Sequence, residues 1–172
     1  MLRPVRLETL ILMKRLPLLA YVLGLGGLVP FVLIALAMLL FGSFKPVPHL
    51  GAAMLAYGGA ILSFLGAVHW GLALEQKAIV VPGAARIDSL RLLLGVCPSL
   101  VAWIAVYIGT THDFRVGVLI EIMGFIATYA VERTAGKSGA LPAGYLRLRM
   151  VLTTIVCLSL AASLLAPTPL GS

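Results

Sequence analysis

The sequence predicts an all-α membrane protein, a bundle of five transmembrane helices with a cytoplasmic N-terminus and a C-terminus outside. Hydrophobic residues make up 61% of the 172 positions, only 11% of the residues are charged, and the mean hydropathy is +1.10. A soluble domain would carry about 25% charged residues. The long apolar stretches are therefore predicted to cross a bilayer rather than to form a globular core.

Five apolar stretches have the length of a membrane-spanning helix, which must cross roughly 30 Å of hydrocarbon. Pro30 and Pro98 lie inside two of them and predict kinks, because proline frees a backbone carbonyl. Residues 1–15 are basic and predict an amphipathic segment at the membrane surface. Residues 16–166 form the transmembrane domain and residues 167–172 a short tail. The predicted spans are approximately 16–41, 50–74, 90–108, 114–131 and 148–166.

The positions of the basic residues predict the orientation. Of the 13 Lys and Arg residues, all except Lys45 and Arg115 lie in the N-terminal segment or around the loops after the second and fourth spans. Cytoplasmic loops carry an excess of Lys and Arg. This side of the membrane is therefore predicted to be the cytoplasm, and five crossings then place the C-terminus outside.

The second span is predicted to be the central helix. Helices in a membrane associate through small residues that let their backbones approach closely. Small residues recur in this span at helical spacing, whereas Leu55, Leu62 and Leu65 occupy opposing positions and are expected to face lipid. An alternative is a pore or ligand groove beside Ser63, His69 and Trp70. The expected helix-packing positions are Ala52, Ala56, Gly59, Ser63, Gly66 and Gly71.

Glu121 is the main candidate for an intramembrane functional residue, because a charged group near the middle of a span costs at least ~2.5–3.5 kcal/mol. Its neighbours on the helix are small or polar, so this face is expected to point into the bundle. A functional interpretation is a proton or cation relay or a ligand contact. A structural one is a hydrogen-bonded carboxyl or a contact with a partner protein. The neighbours are Gly117, Gly124, Thr128 and Glu132.

Other polar residues lie within or at the ends of the spans. Thr128, Ser99 and His69 are further intramembrane candidates, and His69 is also considered as a site for an anionic headgroup or a quinone edge. A second group is expected at the lipid headgroups or the interface, where Trp forms belts and Arg extends toward phosphates. This group contains Trp70, Arg91, Arg147 and Arg149.

Catalytic and metal-binding motifs are missing from the sequence. It contains no H-E-x-x-H, no G-x-S-x-G and no paired intramembrane carboxylates, so no catalytic residue, metal site or cofactor is indicated, and an enzyme is disfavoured. The net charge of +7 does not predict nucleic-acid binding, because the positive charges lie at helix ends rather than along one face.

Three blocks resemble a known family. They are YGGAILSFLGAVHWGLAL at residues 57–74, PSLVAW at 98–103 and YLRLRMVLT at 145–153. Together they resemble a family of small integral membrane proteins of unknown function that includes mitochondrial transmembrane protein 69. The resemblance extends over about residues 24–163 and implies a multi-pass inner-membrane protein of bacteria or mitochondria. It implies no established activity, so no catalytic role is carried over.

The leading functional interpretation is a non-enzymatic inner-membrane protein that acts through association, as an accessory or assembly subunit of a larger membrane complex, such as a respiratory one. Its expected partners are the lipid bilayer and other membrane proteins. The alternatives are a small transporter or proton-conducting protein using Glu121, and a lipid- or quinone-binding membrane protein. No transit peptide is recognisable in the first residues, which favours a bacterial cytoplasmic membrane over the mitochondrial inner membrane.

Overall fold

The computed structural model describes residues 18–41, 49–75, 84–136 and 144–166. These residues form six helices and no strand. The helices are α1 (Leu18–Gly26), α2 (Val29–Phe41), α3 (Leu50–Glu75), α4 (Ala84–Thr111), α5 (Phe114–Gly136) and α6 (Tyr145–Ser163).

Five segments of these helices are long and apolar enough to cross a membrane, which confirms the predicted bundle of five spans. The first span consists of α1 and α2 together, and each later span lies within one helix. The helices continue beyond some of the predicted spans. The α4 helix begins at Ala84, ahead of the predicted residue 90, because its first turns are polar and hydropathy registers only the apolar part.

The first span is broken at Gly27 and Leu28, between α1 and α2. Pro30 is the second residue of α2, where its missing N–H removes no intrahelical hydrogen bond. The expected kink at Pro30 is therefore a complete break that lies just before it. The Tyr57 hydroxyl of α3 donates a hydrogen bond to the Gly27 carbonyl oxygen at 3.0 Å. This bond satisfies a backbone group that lipid could not satisfy.

The α3 helix is central, since it packs against α2, α4 and α5 and has its largest contact with α4. The expectation that Leu55, Leu62 and Leu65 face lipid is wrong, because all three are buried. Glycines on the neighbouring helices explain this. Leu55 packs where Gly109 of α4 has no side chain, and Leu62 packs against Gly124 of α5. Large residues of α3 thus fill spaces left by small residues of its partners.

The predicted orientation can be tested with alkaline phosphatase fusions, because this enzyme is active only after export from the cytoplasm. We expect active fusions after Thr111 and Ser163 and inactive fusions after Glu75 and Gly136. Immunoblots should show comparable amounts of all four proteins. The opposite pattern would reverse the assigned orientation.

Candidate functional site

Glu121 lies in α5 and is fully buried. Neither carboxylate oxygen has a hydrogen-bond partner of acceptable geometry among the described residues. The backbone amide of Gly59 in α3 lies close enough to interact with the Glu121 carboxyl group. The space for this carboxyl comes from Gly58, because a Cβ atom at that position would collide with Glu121 Oε2 and lie 2.8 Å from its Cδ.

The other members of the predicted Glu121 face also point into the bundle. Gly117 and Gly124 are buried, as are Thr128 and Glu132. Thr128 does not hydrogen-bond Glu121, because its hydroxyl donates to the Gly124 carbonyl one turn earlier at 2.8 Å. Gly117 allows α5 to approach α4 closely, since a Cβ atom there would lie 2.6 Å from the Gly109 Cα. The inward direction of this face is therefore confirmed.

A second buried polar cluster joins α5 to α6. Arg149 Nε donates to Glu132 Oε2 at 2.7 Å, and Arg149 Nη1 donates to the Thr153 hydroxyl at 3.2 Å. The Tyr145 hydroxyl lies close enough to interact with both Arg149 and Glu132. Because Glu132 follows Glu121 by about three helical turns, the two carboxyl groups are separated by ~16 Å along α5.

This cluster corrects the expectation for Arg149, which was predicted to extend toward lipid headgroups. Only 5% of Arg149 is exposed, and its guanidinium is held inside the protein by Glu132. A signal for this position was present in the sequence. Thr153 and Val156 follow Arg149 at helical spacing and form its buried face. Arg147 lies two residues away, points in another direction and is exposed.

The predicted packing positions of α3 divide into two groups. Gly59 and Gly66 are buried, and Ser63 is half-buried with its hydroxyl bonded to the Gly59 carbonyl at 2.8 Å. Ala52 and Ala56 are exposed, so their expected packing inside the bundle is wrong. The reason is that glycines on α3 and on its neighbours already allow the close contacts.

Some of the predicted site residues cannot be placed in this geometry. Gly71 belongs to α3, but its surroundings and the side chains of His69, Trp70 and Arg91 lie outside what the structure describes, so their proposed roles remain predictions. Ser99 is half-buried in α4, directly after Pro98. Within the described ranges, no group of three His, Cys, Asp or Glu side chains could hold a metal ion.

The described helices enclose cavities between them, and two of these lie at predicted site residues. The larger has a volume of about 390 Å³ and is bordered by α1, α2, α3, α5 and α6, with Arg149 and Tyr145 among its lining residues. The smaller has a volume of about 150 Å³, lies between α4 and α5, and includes Pro98 and Thr128. Glu121 lines neither of these two cavities.

The five apolar spans and the small-residue packing define a multi-pass, α-helical integral membrane protein. The chain belongs to the DUF3429 family of proteins of unknown function, whose family model matches residues 16–165. It is similar to transmembrane protein 69 of Xenopus tropicalis, with 33% identity over 146 residues, which are 85% of this chain and 53% of that protein.

A second similar protein is transmembrane protein 69 of Mus musculus, with 27% identity over 146 residues, or 85% of this chain and 55% of that protein. The chain thus spans about half the length of these relatives. No solved structure matches the chain.

The contact between Gly58 and Glu121 gives a prediction for stability. Replacing Gly58 by Ala places a methyl group on an enclosed carboxyl, and overpacking of this kind costs ~1–3 kcal/mol of unfolding free energy. Gly26→Ala is the matched control, since no atom lies within 4 Å of a Cβ there. Unfolding in mixed detergent and SDS micelles would measure both variants.

A double-mutant cycle identifies the clashing partner. Glu121→Ala removes the carboxyl that Gly58→Ala displaces, so the combined variant should lose less stability than the sum of the two single changes. Additive losses would show that the methyl group at residue 58 is rejected by something other than Glu121.

Proposed function

We propose that this protein acts by association within the membrane, as an accessory or assembly subunit of a larger complex in a bacterial cytoplasmic membrane. The observation that supports this function is the outward face of α3, the central helix. This face carries a series of alanines that ends at the exposed ring of Phe64, whereas the outward face of α2 exposes large residues such as Leu33, Leu36 and Leu40. Up to Val68, the last residue of α3 whose side chain is described, the exposed alanines are Ala52, Ala53, Ala56, Ala60 and Ala67.

Small residues have no advantage on a surface that touches only lipid, because lipid tails are as apolar as leucine. They do favour a second helix, since they let two backbones come close enough for extensive van der Waals contact. Ala52, Ala56 and Ala60 recur every four residues and thus form one row along α3. A partner helix packed along this row would be held by shape rather than by polar bonds.

The neighbouring helix offers additional contact area at the same depth. Gly59 of α3 packs against Ala102 and Val106 of α4, so the middle of the alanine row is level with this part of α4. Trp103 and Tyr107 are exposed there, and their rings are stacked with centroids 5.9 Å apart. Rigid aromatic rings bury a large area when a partner covers them.

A test of association is purification from native membranes in mild detergent, followed by mass spectrometry of the retained proteins. We expect the wild-type chain to retain a stoichiometric partner subunit. The double variant Ala56→Leu and Ala60→Leu fills the alanine row, so retention should fall at least about tenfold, equivalent to ~1.4 kcal/mol of binding free energy. The control is Ala130→Leu with Ala161→Leu, two exposed alanines on α5 and α6.

Three outcomes would contradict this function. One is a wild-type protein that purifies alone from native membranes, and another is equal retention of the partner by the alanine-row and control variants. The third is self-association only, because a complex of identical copies is not an accessory role.

A second candidate function is transport of protons or cations through Glu121. It is favoured by one observation, a fully buried carboxyl whose oxygens lack hydrogen-bond partners among the described residues. Ionisable groups inside membrane proteins commonly lie on ion pathways. The Glu121 carboxyl is not held by an ion pair among the described residues, whereas the carboxyl of Glu132 is fixed by Arg149.

Liposomes containing the purified protein test this second function. If Glu121 carries protons, the wild type should dissipate an imposed pH gradient, and Glu121→Gln should slow this at least about tenfold because the amide has a similar shape but does not titrate. Thr128→Val is the control on the same buried face. Equal flux in wild type and Glu121→Gln would remove Glu121 from any pathway.

A further inference from the structure

The larger cavity has the dimensions and chemistry of a ligand site. Its volume of about 390 Å³ lies within the ~300–1,000 Å³ that is typical of small-molecule sites. Most of its wall is aliphatic or aromatic, including Phe31, Phe64 and Phe125. Phe64 is also 65% exposed on the outer surface of the bundle, so the wall of the cavity reaches the lipid.

One end of the cavity is polar, because Arg149 and Tyr145 belong to its wall. Although only 5% of Arg149 is exposed, its three guanidinium nitrogens differ in their bonding. Nε is bonded to Glu132 and Nη1 to Thr153, whereas Nη2 has no hydrogen-bond partner among the described residues. A buried donor without an acceptor is unfavourable, so a small side-chain shift that brings Nη2 to the cavity wall would let a ligand oxygen satisfy it.

The charge of Arg149 determines which kind of oxygen fits. Glu132 already neutralises the guanidinium at 2.7 Å, so the pair has no net charge to offer a ligand. An anionic head placed beside the pair would leave a negative charge in a site of low dielectric constant. A neutral acceptor, such as an ester carbonyl, accepts the free N–H without this penalty.

The depth of the polar end limits the choice further. Tyr145 is the first residue of α6 and Arg149 lies one turn further, so this end is near the boundary of the hydrocarbon layer. The cavity also contains Val156, about two turns or ~10 Å deeper than Arg149. A ligand that matches this shape has a neutral acceptor at the boundary and an apolar chain that runs inward.

We infer that the cavity binds one acyl chain of a membrane phospholipid, whose ester carbonyl lies beside Arg149 and Tyr145 at the polar end, where a small shift of the guanidinium lets Arg149 Nη2 donate to it. In a phospholipid the ester joins the polar head to the chain, so it lies at the edge of the hydrocarbon. The apolar walls then hold the chain. None of the three alanines of the alanine row lines the cavity, although Phe64, one turn after Ala60, borders both surfaces.

The experiment uses the full chain in liposomes that contain a phospholipid with a diazirine in the middle of one acyl chain. Illumination links the bound chain to its neighbours, and peptide mass spectrometry locates the link. We expect labels on lining residues such as Ile61, Leu65 and Leu152. Probes with phosphatidylethanolamine and phosphatidylglycerol heads should label equally, because both carry the same ester.

Two variants connect the label to the cavity. Ala20 is half-buried in the wall near the polar end, so Ala20→Trp should fill the cavity and reduce labelling at least about tenfold, the loss expected for ~1.4 kcal/mol of binding free energy. Ala130→Trp is the matched control on an exposed surface outside both cavities. Arg149→Lys keeps the charge opposite Glu132 but removes the planar group that carries Nη2, so labelling should decrease.

Several results would overturn the inference. Labels spread evenly over the outer surface would indicate only general lipid contact, and labels unchanged by Ala20→Trp would place the chain elsewhere. Displacement of the probe by an isoprenoid quinone at equal concentration would assign the cavity to quinone. Labelling by phosphatidylglycerol alone would mean that an anionic head, and not the ester, is recognised. If Arg149→Lys does not fold, Ala20→Trp and its control still decide the outcome.

Discussion

Helices inside a bilayer gain little by burying apolar side chains against each other, so the fold of this protein depends on how closely their backbones can approach. Glycine provides that approach at several levels of the bundle. Gly66 of α3 packs directly on the Gly95 carbonyl of α4, and Gly117 of α5 packs on Gly109 of α4. Each contact leaves no room for a Cβ atom. The large residues of α3 then fill the remaining spaces beside the glycines of its neighbours.

The same packing creates two buried polar environments among the described residues. Gly58 has no side chain, which leaves room for the Glu121 carboxyl. No described residue forms a hydrogen bond of acceptable geometry with this carboxyl. At the end of α5, Glu132 meets a cation and is fixed by it. A buried ion pair adds little net stability, although losing one partner is costly. The Glu132–Arg149 pair therefore joins α5 to α6 without adding much net stability to the fold.

Much of this architecture could be predicted from the sequence. Hydropathy and length identify the five spans, because the bilayer requires long apolar helices, and helical spacing places Glu121 on an inward face. The inward side of α3 was predicted correctly for Gly59 and Gly66, whereas its leucines were placed on the wrong side for a physical reason. A row of small residues on one helix fits a close neighbour, but leucines fit equally well where the neighbour supplies the glycine. Which arrangement occurs depends on Gly109 and Gly124, far away in sequence.

Arg149 was misjudged because its chemistry was considered without its neighbours on the helix, and its pairing with Glu132 depends on how α5 and α6 meet.

The break in the first span has a different consequence. The α1 helix has no buried residue and ends at Gly26, and the Tyr57 hydroxyl donates a hydrogen bond to the carbonyl of the next residue, Gly27. Ala20, Leu23 and Gly24 of α1 form part of the wall of the larger cavity. A rotation of α1 about Gly27 would thus widen the lateral opening of this cavity toward the lipid, and the packing of α3, α4 and α5 would not have to change.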